Sequence, residues 1–357
     1  MSTDTPPPAA RGRPALSEDG WRQAARIALG SVAGLSIAKI MDWPFGVFFA
    51  VYPILLLGLL PVFNARVAVQ FLASSLAAIA AANLLILLGS VSPFAAALAF
   101  FLFAAHCFRL MAQGRWFLFG AVTAVSTSVL VHLASHASTP AQDLYAAQFI
   151  ATALAVFIAA AMHALLPERR PTPPPAAAKP ASLIRHQMLL GAICATASHA
   201  AFQVLDLADS LSAQAATILV LFPMTLAGGR AAAWTRVVGT LLGSAFALVL
   251  QVAVHSPAPH LPMLVLLYGA GMLLFATMHV RENAGPAVGF GAATAIAVLA
   301  GQLSADADLY GVSLYRSSSI AVASLLMLLC IFATQTALDL FPASRAAPRR
   351  RPPSSRR

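Results

Sequence analysis

Hydrophobic positions along this chain come in nearly unbroken runs of roughly fifteen to thirty residues, not in the one-sided stripes of a soluble helix or the alternation of a half-buried strand. Cut at charges, prolines and glycines, the first half gives Arg22–Met41, Phe45–Leu60, Arg66–Leu88, Pro93–Phe108, Trp116–Leu133 and Asp143–Leu166. The second half gives Leu183–Leu205, Ala213–Leu226, Ala232–Val254, Pro262–Val280, Gly285–Leu303 and Leu309–Phe341. A straight crossing of a bilayer needs about 20 apolar residues, so most of these runs predict membrane-spanning helices. Phe45–Leu60 and Ala213–Leu226 fall short of that length and leave two counts open, twelve crossings or ten. The expected fold is all-α, a polytopic integral membrane protein.

The pattern is written twice. Pro53, Gly58, Arg66, Val67, Leu72, Ser74 and Ala77 recur, 170 positions on, as Pro223, Gly228, Arg236, Val237, Leu242, Ser244 and Ala247. Both copies predict a proline-bearing helix with a glycine-weakened end, an arginine, and a second apolar helix. Phe119–Ala124 matches Phe290–Ala295, Asp143-Leu144-Tyr145 matches Asp308-Leu309-Tyr310, and Leu29-Gly30 matches Leu190-Gly191. A unit of six spans begins and ends on one side, so its copy inserts the same way up. Two parallel repeats, 21–166 and 183–341, are therefore expected, related by an axis near the membrane normal. Between them, 167–182 is proline-rich and basic and reads as a linker. The arm 1–20 and the tail 342–357 read as disordered, and no cleavable leader precedes the first run.

Composition supports a membrane protein. Of the 357 residues 59% are hydrophobic and 10% charged, far from a soluble domain. The net charge of +10 does not indicate nucleic acid, because little polar surface exists to build such a domain. Instead, 20 of the 22 Lys and Arg residues fall on the arm, linker, tail, or loops on that one side, the exceptions being Lys39 and Arg316. The opposite loops carry Asp42, Asp143, Asp206, Asp209, Asp306 and Asp308. The positive-inside rule then puts both termini in the cytoplasm of a bacterial inner membrane.

Few residues can carry chemistry. Arg316 lies about eight residues into the last run, where a charge costs several kcal/mol unless paired or hydrated. It reads either as an anion contact in a cavity, with Asp306, Asp308 or Asp143 as counter-ion, or as a side chain snorkelling to the outer interface. Pro53 and Pro223 free backbone carbonyls at matching places, a pointer to a central substrate site to which Ser74, Ser244, Thr217 and Gln214 would add hydrogen bonds. Asp42 and His199 are the proton-coupling candidates, against interfacial and packing roles. Arg66, Arg236, Arg109 and Arg281 sit at cytoplasmic ends, as gate residues, lipid contacts or topology signals. His106, His163 and His279 are spread over separate runs, and Cys107, Cys194 and Cys330 lie singly. No metal box, nucleotide loop or catalytic motif occurs, so no catalytic residue, cofactor or metal is expected and the chain is not expected to be an enzyme.

Thr217–Ser244, with Gly228-Gly229-Arg230, Arg236 and Gly239-Thr240-Leu241-Leu242-Gly243-Ser244, resembles the fusaric acid resistance superfamily, which includes the aromatic acid exporters. Asp42-Trp43-Pro44-Phe45-Gly46-Val47 and Pro53–Pro61 resemble a short branch of it. The chain has no sizeable cytoplasmic domain between the halves, and Phe71-Leu72-Ala73 replaces Thr-Leu-Leu-Gly in the first copy. The resemblance implies proton-driven efflux of aromatic or amphipathic organic acids, often with a periplasmic adaptor of the membrane-fusion type. Lipids are expected partners and a homo-oligomer is allowed. The competing class is a non-transporting scaffold for such an adaptor. A polar mid-membrane cavity holding Arg316 would favour transport, and a dry packed interface would favour the scaffold.

Overall fold

The structure, a computed structural model, describes residues 16–60, 62–136, 139–167, 179–205, 211–254, 261–282, 288–301 and 309–341. The tail, most of the linker and the arm, and Asp206, Asp209, Asp306 and Asp308 lie outside the described residues. Twelve helices run through the described chain: α1 (Glu18–Ile40), α2 (Gly46–Leu59), α3 (Ala65–Val91), α4 (Pro93–Gln113), α5 (Phe117–Ala134), α6 (Ala141–Leu165), α7 (Ala181–Val204), α8 (Leu211–Leu221), α9 (Leu226–Val254), α10 (Leu261–Arg281), α11 (Val288–Gly301) and α12 (Leu309–Asp339). Seven of them (α3–α6, α9, α10 and α12) are long and apolar enough to cross a bilayer. The protein is a polytopic all-α membrane protein.

Local chemistry sets the helix ends. Ser17 opens α1, its hydroxyl accepting from Gly20 N–H, and Glu18 and Asp19 occupy the favourable first turn. Asn64 caps α3 through Val67 N–H, and Ser92 caps α4 ahead of Pro93. Gly114, at φ 83°, turns the chain out of α4 where a side chain would be strained. Arg26 is buried in α1 and donates to the carbonyl of Leu166 at 2.8 Å, placing a cation on the free end of α6.

The packing is two-fold. Within the first repeat α3 packs on α5 and α6, α2 on α6 and α1 on α2. The second repeats this as α9 on α11 and α12, α8 on α12 and α7 on α8. Contacts between the repeats also come in pairs: α1 with α10 and α7 with α4, α2 with α11 and α8 with α5. The short helices α2, α8 and α11, together with α5, thus surround the axis, and nearly every residue of α11 is buried. At 11 residues α8 spans only about 16 Å, less than the ~30 Å hydrocarbon core. It needs no full crossing, because α5, α7, α9 and α12 surround it. Close approach is built from small residues. A Cβ on Gly239 would stand 2.7 Å from the Cα of Gly291, which lets α9 and α11 meet backbone to backbone.

The duplicated stretch does not fold the same way twice. In the first repeat the helix continues through Pro53 to Leu59, and the next begins at Ala65 after its cap Asn64. In the second it stops at Leu221, breaks around Phe222–Thr225, with Met224 at φ 51°, and then runs unbroken from Leu226 past Arg236. The expected boundaries of Ala213–Leu226 and Ala232–Val254 are corrected accordingly. The reason lies in the residues between the matching positions. The first copy has Pro61 and the cap Asn64, whereas the second has Ala231 and Trp234 there, in a run of alanines that favours helix. Thr225, whose Oγ1 accepts from Gly228 N–H at 3.2 Å, supplies the cap one break earlier, where the first copy has Leu55.

Candidate functional site

A chamber of about 840 Å³ lies among the central helices and is lined by both repeats. That is in the range of pockets that enclose a whole organic ligand, roughly 300–1,000 Å³. From the first repeat come Phe48, Val51, Tyr52 and Leu55 of α2 and Val122, Val125, Ser126 and Val129 of α5. The α5 positions recur at three and four residues and so form one stripe of that helix. From the second repeat come α8, the break Phe222–Met224, Thr235, Arg236 and Thr240 of α9, Phe290 and Thr294 of α11, and Arg316 of α12. The wall is apolar and partly aromatic, with cations at separate depths.

Arg115, in the α4–α5 turn, and Lys179, just before α7, mark the basic end where α1 begins and α12 finishes. Arg236 is the eleventh residue of α9, about 15 Å along that helix from the same end. Its guanidinium donates to Thr294 Oγ1 at 2.9 Å. Arg316 is the eighth residue of α12, about 10 Å in from the opposite end. Its Nε is buried without a hydrogen-bond partner among the described residues, and it shares the chamber wall with Arg236. No aspartate or glutamate among the described residues lines the chamber. Lys179 donates to Gln187 Oε1 at 3.0 Å, and burial pulls its ammonium below the ordinary lysine value.

Of the substrate-site candidates, Arg316 and Pro223 are on the chamber wall. Thr217, Gln214, Ser74, Ser244 and Pro53 stand behind it, not on it. Thr217 pairs with Ser198 at 2.7 Å and with the carbonyl of Gln214, and Ser74 donates to Phe71 O within α3. Ser244 lies 3.5 Å from Ser317, between α9 and α12. Pro53 packs beside Gly34 of α1. Asp42 is exposed in the α1–α2 turn. Asp143, one suggested counter-ion of Arg316, lies instead beside Trp43, Pro44 and Ile150. His199 is buried, stacked on Phe100 at 4.1 Å between α7 and α4.

The four basic gate candidates separate. Arg66, Arg109 and Arg281 are exposed at the basic end, whereas Arg236 faces the interior because α9 begins ten residues before it. Its expected place in a loop is corrected by the shifted break.

Three features were not anticipated. Tyr52 donates to Gln148 and Ser126 lies within its reach, which puts a polar node in the first repeat's wall. Gln148 also meets Ser75 at 3.5 Å. His132 of α5 approaches His136 and Phe202, whereas His106, His163 and His279 stay on separate helices as expected. Cys194 and Cys330, single in sequence, meet between α7 and α12 beside Thr334.

Two family models match separate parts of the chain. Residues 23–162 match the family described as protein of unknown function DUF2955. Residues 193–330 match the family described as fusaric acid resistance protein-like. No curated protein and no solved structure matches the chain. That second match contains Arg236, Arg316 and the Thr217–Ser244 motif. The second repeat is thus similar to the fusaric acid resistance protein-like family and the first to the DUF2955 family, neither match reaching half of the chain.

Proposed function

We propose that the protein is an inner-membrane exporter of amphipathic organic anions, aromatic acids among them, with both termini cytoplasmic and with proton coupling. One observation carries the reading: a chamber between the repeats whose charges are all positive and whose remaining wall is mostly apolar and aromatic. Isolated cations in a low-dielectric cavity are costly, and an anion that spans from Arg236 to the apolar wall of α2 and α5 relieves that cost. The order Arg115 and Lys179, then Arg236, then Arg316 gives such an anion a stepwise path from the basic end outward. This end is the cytoplasmic one by the distribution of Lys and Arg. Protons are assigned to the histidines beside the chamber, His199 with His132, ahead of the exposed Asp42. A periplasmic adaptor belongs to this reading on the strength of the family resemblance alone. The lined cavity supports transport over the scaffold reading, which calls for a dry interface.

The test is uptake of 1-naphthalenesulfonate into inside-out vesicles carrying wild type or Arg316→Ala. At least about a tenfold loss of initial rate is expected for the variant, the usual scale for removing one partner of a desolvated charge pair. Equal rates would remove Arg316 from the mechanism and, with it, the support for this reading.

A further inference from the structure

Resting on the anion-transport reading, the geometry points to a narrower ligand class: an apolar body bearing a doubly charged head group, such as a phosphomonoester, held between Arg236 and Arg316. The two guanidiniums come from α9 and α12, which pack together, and both line the one chamber. Their charges repel each other, and no carboxylate among the described residues stands on the wall between them. A monoanion would neutralise one and leave the other uncompensated in an apolar cavity. A dianion neutralises both.

The donors are arranged for several acceptors. Arg236 is held by Thr294 through one nitrogen, at 2.9 Å, and Thr294 spends its own proton on the Gly291 carbonyl at 2.9 Å. The other donors of Arg236 are then not directed at Thr294. Arg316 contributes a buried Nε–H with no partner among the described residues, and Thr235 and Thr240 line the same region. Fork-shaped guanidiniums suit the several oxygens of a phosphate, which carries close to two charges at neutral pH. The two cations that hold the head group are both second-repeat. Opposite them, Phe48, Val51, Leu55, Val122 and Val125 of the first repeat offer a wall for the apolar body. Head and tail of the ligand are thus assigned to different repeats.

The experiment uses the full chain in lipid nanodiscs and compares binding of 1-naphthyl phosphate with 1-naphthalenesulfonate, which share a ring system and differ in head-group charge. The phosphate is expected to bind about tenfold or more tightly at pH 8, and its advantage should shrink toward pH 5 as its second ionisation near pH 6 reverses. The sulfonate, singly charged throughout, provides the reference at each pH. Arg236→Gln should bring the two affinities together, with monodispersity in detergent checking the fold. Equal affinity of the two ligands for wild type at pH 8 overturns the dianion assignment and leaves the transport reading standing. Failure of both ligands to bind sinks the transport reading and this inference together. An arm with phosphatidic acid in the nanodisc assigns the source: displacement of naphthyl phosphate points to a bilayer lipid, and its persistence points to a water-borne ester.

Discussion

Arg316 and Arg66 show how far a single residue's role follows from its type. Both are arginines beside apolar runs, yet Arg66 is exposed in the first turn of α3 whereas Arg316 lines the chamber eight residues into α12. The sequence distinguished Arg316 by its depth and its lack of a duplicate. It gave no such warning for Lys179, whose surroundings of prolines and arginines read as a solvated linker. Lys179 nevertheless reaches the chamber's basic end. Burial lowers its proton affinity, so it discharges earlier than an ordinary lysine as the pH rises. Anion capture by the wild type should therefore weaken from neutral toward alkaline pH, while Lys179→Arg, charged throughout, should hold its affinity. Stopped-flow binding of 1-naphthalenesulfonate across that range checks this, and parallel decline in both proteins would remove Lys179 from capture.

Helices were legible from apolar run length, and their ends were mostly placed within a few residues by proline, glycine and capping side chains. The second copy of the hairpin escaped for a definite reason. Matching Pro53 with Pro223 implied matching breaks, but helix breaks are set by the residues around a proline as much as by the proline. Asn64 restarts the helix in one copy; Thr225 and the alanines at 231–233 move that restart upstream in the other. The shift is what buries Arg236. Close helix contact was equally hard to foresee, since which glycines face a neighbour depends on the bundle. Gly239→Val would drive a branched side chain into the α11 backbone at Gly291 and Val288. A destabilisation of about 1–3 kcal/mol is expected. Gly269→Ala, whose added carbon meets only Val32 at 3.5 Å, should be close to neutral. Thermal unfolding of both variants in detergent checks the contrast; an equal shift for the two would contradict the backbone contact.

At the scale of the molecule, duplication was readable because it preserves spacing, and the matched packing of the two halves agrees with it. It did not reveal which helices surround the axis. That follows from packing: α2, α5, α8 and α11 meet in matched pairs across the two-fold and leave the chamber among them. Nor could it reveal that the two repeats divide the work, since matched sequence suggests matched roles. The hydroxyl groups of Tyr52 and Ser126, with Gln148 behind Tyr52, mark the first repeat's wall, while Arg236 and Arg316 mark the second's.

The central claim is that this chamber is a water-reachable, positively charged route for anions. Ala215 of α8 lines it, and the native cysteines Cys107 and Cys194 are buried while Cys330 lies away from the lining. The direct measurement is the labelling rate of Ala215→Cys, over the parent background, by a negatively charged sulfonatoethyl methanethiosulfonate and by its positively charged trimethylammonium counterpart. The account predicts that the anionic reagent reacts at least about tenfold faster, because a cleft of one charge sign concentrates the opposite ion. A thiol that does not react, or that reacts faster with the cationic reagent, would contradict it.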